Sequence, residues 1–556
     1  GGNFTELWLS FNEFATQTND GDNSVESGSQ PVPPKFCVST VDFSFNVEPP
    51  LILEYLLRGF YPVAAPKPVD YAIVCPHSPS EWLGILALSY LTCFRSMYAQ
   101  CHMGDHAAID LAQVEGNSNV SVDASNALLL VECASSAYDA FATYRSAGAL
   151  LNPVLSNGVK KKQAFSRSAV ANVIYVVVPF RRQDVKHKMW ALGAFCHGLF
   201  GSTSVADAAW KDSVTIELLY LENLLEVGVN PSPFALMPSC FGLYDRVFEN
   251  VSLKPAEVDQ VALAAPQGGK SRFVSERLYH LADTATKPDE GSASRIYGGY
   301  AISEDRKWIA CSCVDALGSV LETYMIRFDD TDLEGALLEM MTKWLNFLAL
   351  IGEKASVVIC RLGDPNDTLD EHELATWRNL SESRQEELVP AAFAPLVADI
   401  KILQVVFVPS ERVQVREDDA SMLCGFDKSG YLVVSPNESA GEGSRGACYA
   451  SGGSCSMGSS CFPLNQRGDK EAAVMNVTIV LDQIIANSEG EQGALSSADD
   501  MHQILNDFHA LSYLTMHPIT TERASPLPLH LAVIDKLNQD TSRLVLQLQT
   551  DPLQFR

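Results

Sequence analysis

The segment from Ile296 to Arg327 reads IYGGYAIS, EDRK, WIACSCV, DALG and SVLETYMIR in succession. Three short runs rich in β-branched and apolar residues alternate with polar turns, and Asp315 to Gly318 has the composition of a tight turn. The pattern predicts a three-stranded antiparallel meander. A helix is expected next over Leu333 to Leu350, where apolar residues recur at helical spacing. A metal-dependent nuclease built on such a meander projects a carboxylate from its first strand toward a pair of divalent ions. Gly298 to Ser303 contains none, and Glu304 and Asp305 fall in the turn, pointing to water. A meander is therefore predicted and nuclease chemistry is not.

Downstream, Ala355 to Arg361 (ASVVICR) and Lys401 to Val408 (KILQVVFV) read as buried strands, with a helix between them through the acidic stretch Asp370 to Glu387. From Pro409 to Asp469 Gly, Ser and acidic residues dominate, and Ser444 to Ser460 approaches low complexity. A mobile insertion is expected at about 410–470, with Tyr431 to Ser435 able to pair as a strand inside it. Val474 to Leu481 reads as a strand, Ser497 to Thr515 as a helix, and Leu527 to Leu537 as a closing apolar segment.

Upstream, strand patterns at Val69 to Pro76, Asn126 to Glu132, Asn172 to Val178 and Ser213 to Tyr220 alternate with helical patterns at Glu81 to Gln100 and Lys186 to Leu199. Near-continuous apolar strands alternating with helices predict a doubly wound α/β unit. The reading divides the chain into a flexible lead-in at 1–35, an α/β domain at 36–245 and a second domain at 260–556.

Composition narrows the function. The 556 residues are 47% hydrophobic and 19% charged, enough apolar content for real cores, and the formal net charge is −28. Proteins that grip nucleic acid through its backbone carry a basic footprint, so nucleic acid is not expected and a partner with basic surfaces is. No run is long enough to span a bilayer, and Gly1 to Gln30 has no signal-peptide pattern. The chain starts without Met and is expected to be a piece of something longer. Fourteen cysteines, scattered through apolar runs, suit a reducing compartment.

Several motifs invite chemistry. Ala264 to Ser271 (AAPQGGKS) satisfies a loose phosphate-loop pattern, in which Lys270 would meet terminal phosphates and Ser271 a magnesium ion. Pro266 removes one backbone donor from that cradle, and no metal-holding strand follows, so an exposed Gly-rich loop is favoured. Cys311 and Cys313 are read as facing opposite sides of a strand and so unable to share a metal. Cys448, Cys455 and Cys461 lack the paired spacing of structural zinc sites. Cys101, His102 and His106 have ligand-like spacing beyond a helix end, where capping and surface placement are commoner than metal. Lys160 to Lys162 with Arg167, and Arg181, Arg182, Lys186 and Lys188, are the basic clusters of an acidic chain. They are read as solvated loop, or as contact with an acidic segment, ahead of a relic anion site. Gly201 to Ser204 (GSTS) lacks the nucleophile-elbow pattern.

Five segments in order resemble the C-terminal half of the Mediator complex subunit 13 family. They are VDYAIVCP at Val69 with FRSMYAQCHMGDH at Phe94, NVIYVVVPF at Asn172, GGYAISEDRKWIACSCVDALGSVLET at Gly298, VVICRLG at Val357, and LNDFHALSYLTMHPITTERASPLPLHLAVIDKL at Leu505. The resemblance implies an Argonaute-like architecture, a doubly wound middle-like domain followed by a ribonuclease-H-like, Piwi-type domain. It also implies where metal-binding acids would stand. In slicing Argonautes the second follows an Arg in an Arg-Asp-Gly turn, and here Arg361-Leu362-Gly363 puts Leu in its place. Asp364 would aim elsewhere, and Tyr300 or its neighbours replace the first acid.

By resemblance, the chain would be a non-catalytic scaffold without cofactor or metal. It would link the Mediator cyclin-dependent kinase, cyclin C and Mediator subunit 12 to core Mediator. It would act in the nucleus as a coregulator of RNA polymerase II transcription, as repressor or activator, with no membrane contact. The alternatives are an Argonaute-like nucleic-acid-binding protein and a P-loop nucleotidase.

Overall fold

The computed structural model describes residues 34–132 (except 42, 56–57 and 78–80), 137–163, 171–178, 185–201, 214–247 (except 230–232), 274–282, 294–363 (except 330–331 and 352–353), 371–408 (except 383), 422–434 (except 426–428), 473–484, 497–515 and 525–550 (except 526). Two paired strands open it, β1 (Phe36–Ser39) and β2 (Ser44–Val47).

A six-stranded sheet follows, built from β3 (Val69–Pro76), β4 (His106–Ala108), β5 (Val120–Asp123), β6 (Leu128–Val131), β7 (Ala171–Val178) and β8 (Val214–Tyr220). Its order is β5-β6-β3-β7-β8 with β4 against β3; β5 is antiparallel to β6 and the other pairings are parallel. All eight residues of β7 are buried, as a parallel strand covered on both faces requires. Five helices supply the cover: α1 (Trp82–Gln100), α2 (Ala137–Gln163), α3 (Val185–Phe200), α4 (Leu221–Val229) and α5 (Pro233–Arg246). Helices α1, α4 and α5 share a core with Ile73, Cys75, Tyr175 and Val177, while α2 and α3 share one with Val74, Ile174 and Val176. The backbones of α2 and α3 touch at two glycines. A β-carbon on Gly148 would stand 2.2 Å from the Phe195 carbonyl oxygen, and one on Gly198 would stand 1.9 Å from that of Arg145. This is the doubly wound arrangement expected from the alternating pattern.

The second half builds β9 (Val274–Glu276), β10 (His280–Leu281), β11 (Ser294–Ile302), β12 (Trp308–Asp315), β13 (Val320–Arg327), β14 (Ala355–Gly363), β15 (Val397–Val408), β16 (Met422–Gly425), β17 (Ser429–Val434) and β18 (Ala473–Ile484). Nine of these form one sheet in the order β16-β17-β18-β15-β14-β11-β12-β13-β9, whereas β10 joins β1 and β2 in a three-stranded sheet. The meander β11-β12-β13 is antiparallel as expected, and β14 and β15 add in parallel. Asp315 closes the second turn: its Oδ1 accepts the N–H groups of Ser319 at 2.7 Å and Val320 at 3.1 Å, and Gly318 takes a φ of +67°.

Helices α6 (Leu333–Ile351), α7 (Glu371–Glu382) and α8 (Gln385–Leu388) cover one face of this sheet, and α9 (Ser497–Tyr513) and α10 (Leu529–Thr550) cover the other. The helix expected over 370–387 is broken in two. The closing apolar segment is the start of a helix that runs to Thr550. The strand expected within the insertion is part of β17 and belongs to the large sheet; residues 409–421 and 435–472 lie outside the described set. Cys311 and Cys313 do not face opposite sides. Residues two apart on a strand share a face, and both thiols lie in the core beneath α6, where burial pushes them well above the ordinary thiol range.

Candidate functional site

Strands β11 and β14 run side by side in the middle of the large sheet, with Gly299 opposite Cys360 and Tyr300 opposite Arg361. Alternation then sorts their side chains. Tyr300 and Arg361 face α6 and α7, whereas Ala301, Cys360 and Leu362 share the core of α9 and α10. Of Tyr300 and its neighbours, expected in the place of the first metal-binding acid, Tyr300 itself points to the face opposite Leu362. The residue that accompanies Leu362 is Ala301.

On the Tyr300 face four polar groups close on one another. The Tyr300 hydroxyl donates to Glu373 Oε1 at 2.5 Å and accepts from Trp377 Nε1 at 2.8 Å. Arg361 Nε donates to the same carboxylate oxygen at 3.1 Å, and its Nη1 donates to the Leu362 carbonyl. The ion pair is almost completely buried, at 3% and 2% exposure of the two side chains. Such a pair persists only where its remaining donors and acceptors are satisfied. Burial first, and then the Glu373 carboxylate, push the Tyr300 hydroxyl well above its usual range, so it stays a neutral donor. The cluster is a structural network with no reactive group left free for chemistry.

The Leu362 face is different. Ala301 and Leu362 are buried there, and neither supplies an oxygen ligand of the kind a divalent ion needs. Over Gly299 sit His530, Leu531 and Ile534 of α10, at 3.1, 2.8 and 2.5 Å from where a β-carbon would stand. His530 is fully buried, and neither ring nitrogen has a hydrogen-bond partner among the described residues. Burial lowers its pKa to about 3, so the ring is neutral. A carboxylate on this face, Asp507 of α9, is committed elsewhere. It accepts from the Tyr297 hydroxyl and from Gln503 Nε2 at 2.9 Å, with Arg295 Nη1 3.6 Å away. Among the described residues no group of three or more His, Cys, Asp or Glu side chains could hold a metal ion.

The remaining sequence candidates separate. His106 is a core residue rather than a surface one: Nε2 meets the Tyr175 hydroxyl at 2.8 Å, the ring stacks on Tyr71, and burial drops its pKa to about 3. His102 lies apart from it, stacked on Tyr61 with ring centres 3.7 Å apart, and the Cys101 thiol is buried and pushed up to about 12. Lys160 to Lys162 end helix α2 rather than forming a loop, and Lys186 and Lys188 lie in α3. Arg167, Arg181, Arg182, Asp364, the 264–271 loop and Cys448, Cys455 and Cys461 lie outside the described residues. Sequence reasoning missed Glu373, Trp377 and His530. For the first two a signal existed: Glu373, Thr376, Trp377, Leu380 and Ser381 fall on one buried helical stripe. His530 in LPLHLAV carries no comparable mark.

Two family models match the chain. Residues 276–417 match the Mediator complex subunit 13 C-terminal domain, and residues 67–246 match the MID domain of medPIWI. No curated protein matches the sequence. Among solved structures, Marinitoga piezophila Argonaute in complex with a 5′ OH guide RNA is similar over 95% of this chain and 62% of its own, at 10% identity and a TM-score of 0.47. Kluyveromyces polysporus Argonaute with a guide RNA is similar over 96% of this chain and 52% of its own, at 11% identity and a TM-score of 0.46. The chain thus spans less than two thirds of either protein.

Proposed function

We infer, for a chain that carries the Argonaute-like α/β C-terminal region of the Mediator subunit 13 family, the role of a non-catalytic scaffold in Mediator's kinase module. In this reading it links the cyclin-dependent kinase, cyclin C and Mediator subunit 12 to core Mediator, in the nucleus, and modulates RNA polymerase II transcription through occupancy rather than chemistry. Residues 36–245 act as the middle-like domain and 260–556 as the Piwi-like domain. The observation that supports this most is that Ala301 and Leu362 share the buried core of α9 and α10, where His530, Leu531 and Ile534 pack over the neighbouring Gly299. Two-metal cleavage needs several oxygen ligands converging on one open spot, and hydrocarbon fills that spot here. The formal net charge of −28 also favours a protein partner over a nucleic-acid backbone.

Affinity purification of the tagged protein from nuclear extract tests the assignment. Co-recovery of the kinase, cyclin C and subunit 12 is expected; a stable preparation that recovers none of them overturns it. The non-catalytic part is tested separately by incubating purified protein with guide-length RNA in magnesium or manganese. Neither cleavage nor a tight saturable complex at physiological salt is expected, and either one would restore the Argonaute-like reading.

A further inference from the structure

Lys67 precedes β3 and is 1% exposed. Its three N–H donors are shared among four acceptors, the carbonyl oxygens of Tyr244 at 3.0 Å, Val247 at 3.1 Å and Glu276 at 2.6 Å, and Ser275 Oγ at 2.9 Å. It also lies 4.4 Å from the centre of the Tyr244 ring. An ammonium survives this degree of burial only when its donors are taken up, and charge-assisted bonds of this kind are the strong ones.

The base of the side chain is fixed as firmly as its tip. The Lys67 N–H donates to the Met103 carbonyl at 2.7 Å, and its own carbonyl accepts from the Tyr98 hydroxyl at 3.0 Å. Gly104 packs so close that a β-carbon there would stand 2.9 Å from the Lys67 carbonyl carbon. Thus the backbone of Lys67 belongs to the six-stranded unit, while its ammonium reaches β9, the three-residue edge strand of the nine-stranded sheet. Beside it Arg277 pairs with Asp245 at 2.9 Å, and Asp245 Oδ1 accepts the Leu278 N–H at 2.9 Å.

We propose that Lys67 is an interlobe latch, a buried cation that, beside the Arg277–Asp245 pair, ties the end of α5 and strand β9 to the base of β3 so that the two large sheets move as one rigid body. This does not depend on the Mediator reading. A rigid joint gives any partner one fixed surface spanning both lobes, and its loss lets the lobes move relative to one another.

The test pairs distance and exchange measurements on the full chain. Spin labels go at Ser96 of α1 and Thr342 of α6, both exposed, as non-cysteine amino acids because the chain holds fourteen cysteines. The parent should give one narrow distance distribution. Lys67→Met keeps the aliphatic stem and removes the donors. It should broaden that distribution and raise amide exchange across Val274–Glu276 by about tenfold to a hundredfold, with β7 unchanged. Should Lys67→Met fail to fold, Ser275→Ala withdraws one acceptor and should raise β9 exchange by about fivefold. A parent distribution that is already broad, or a variant matching the parent in both width and β9 exchange, overturns the latch.

Discussion

The two faces of the β11–β14 pair come from the same few residues and have opposite chemistry. Under α6 and α7, Trp377, Tyr300, Glu373 and Arg361 are joined in that order by a buried chain of hydrogen bonds. Under α9 and α10, Ala301 and Leu362 share an apolar core, and over Gly299 beside them sit two branched side chains and an imidazole with no hydrogen-bond partner among the described residues. The difference teaches that a buried polar cluster in an enzyme-like fold is not itself evidence of catalysis. Satisfied groups hold structure. A site for a divalent ion needs oxygen atoms with unfilled bonding capacity, and neither face offers them among the described residues.

The largest effect should come from breaking the hydrogen-bonded face. Glu373→Ala leaves the Arg361 guanidinium buried without its carboxylate and should cost about 4 kcal/mol in urea unfolding at neutral pH. A loss below about 1 kcal/mol would mean that water reaches the pair. The opposite face is probed by giving it the acid it lacks. Leu362→Asp places a carboxylate among Ala301, Cys360 and Gly299 and should cost about 3 kcal/mol. Magnesium or manganese should not restore the melting temperature. A metal-dependent recovery would show that other oxygen ligands converge on the spot, and the contrast between the faces would fail.

What the sequence disclosed of this contrast follows its physics. The meander was readable because its runs have strand composition and its turns contain Asp315 and Gly318. The alternating half was readable because buried parallel strands such as ANVIYVVV are apolar throughout. The helix over Ala137–Gln163 was not read, because small residues and an internal Pro153 blur its apolar stripe. The sheet of β1, β2 and β10 was missed because its strands are four, four and two residues long. At the site, Arg361-Leu362-Gly363 puts Leu where the resemblance implies an acid. Which neighbour on β11 stands with it was not readable. That depends on the register of Tyr300 with Arg361, a relation between strands about sixty residues apart that no local pattern encodes.

Acid should separate the faces next. His530 and, in the smaller lobe, His106 have folded pKa values lowered by burial to about 3, against 6.5 for the free group. The native state binds fewer protons than the unfolded chain between those values. Stability is therefore complete above pH 6.5 and lost progressively as pH falls toward 3, by about 1 kcal/mol per histidine at pH 5.5. Asp507, whose pKa burial raises, works in the opposite sense near its own titration. The clean observable is consequently the difference between the parent and His530→Leu. The variant should lose the His530 share of the slope between pH 7 and 5.5. Equal slopes would mean that the imidazole is hydrated.

The last contrast discriminates best, because it compares neighbouring residues. A β-carbon on Gly298 would meet three ring atoms of the buried Trp344 at 3.0 Å each. One on Gly299 would meet Ile534 Cδ1 at 2.5 Å and Leu531 Cδ2 at 2.8 Å. The second set of contacts is nominally worse, yet those atoms are the free ends of flexible side chains that can change rotamer, whereas an indole locked in a core moves only as a whole. Gly298→Ala should therefore cost about 2 kcal/mol and Gly299→Ala about 1 kcal/mol in equilibrium denaturation. The reverse ranking would make the α10 cap the stiffer wall, and the apolar face would then be held as tightly as the hydrogen-bonded one.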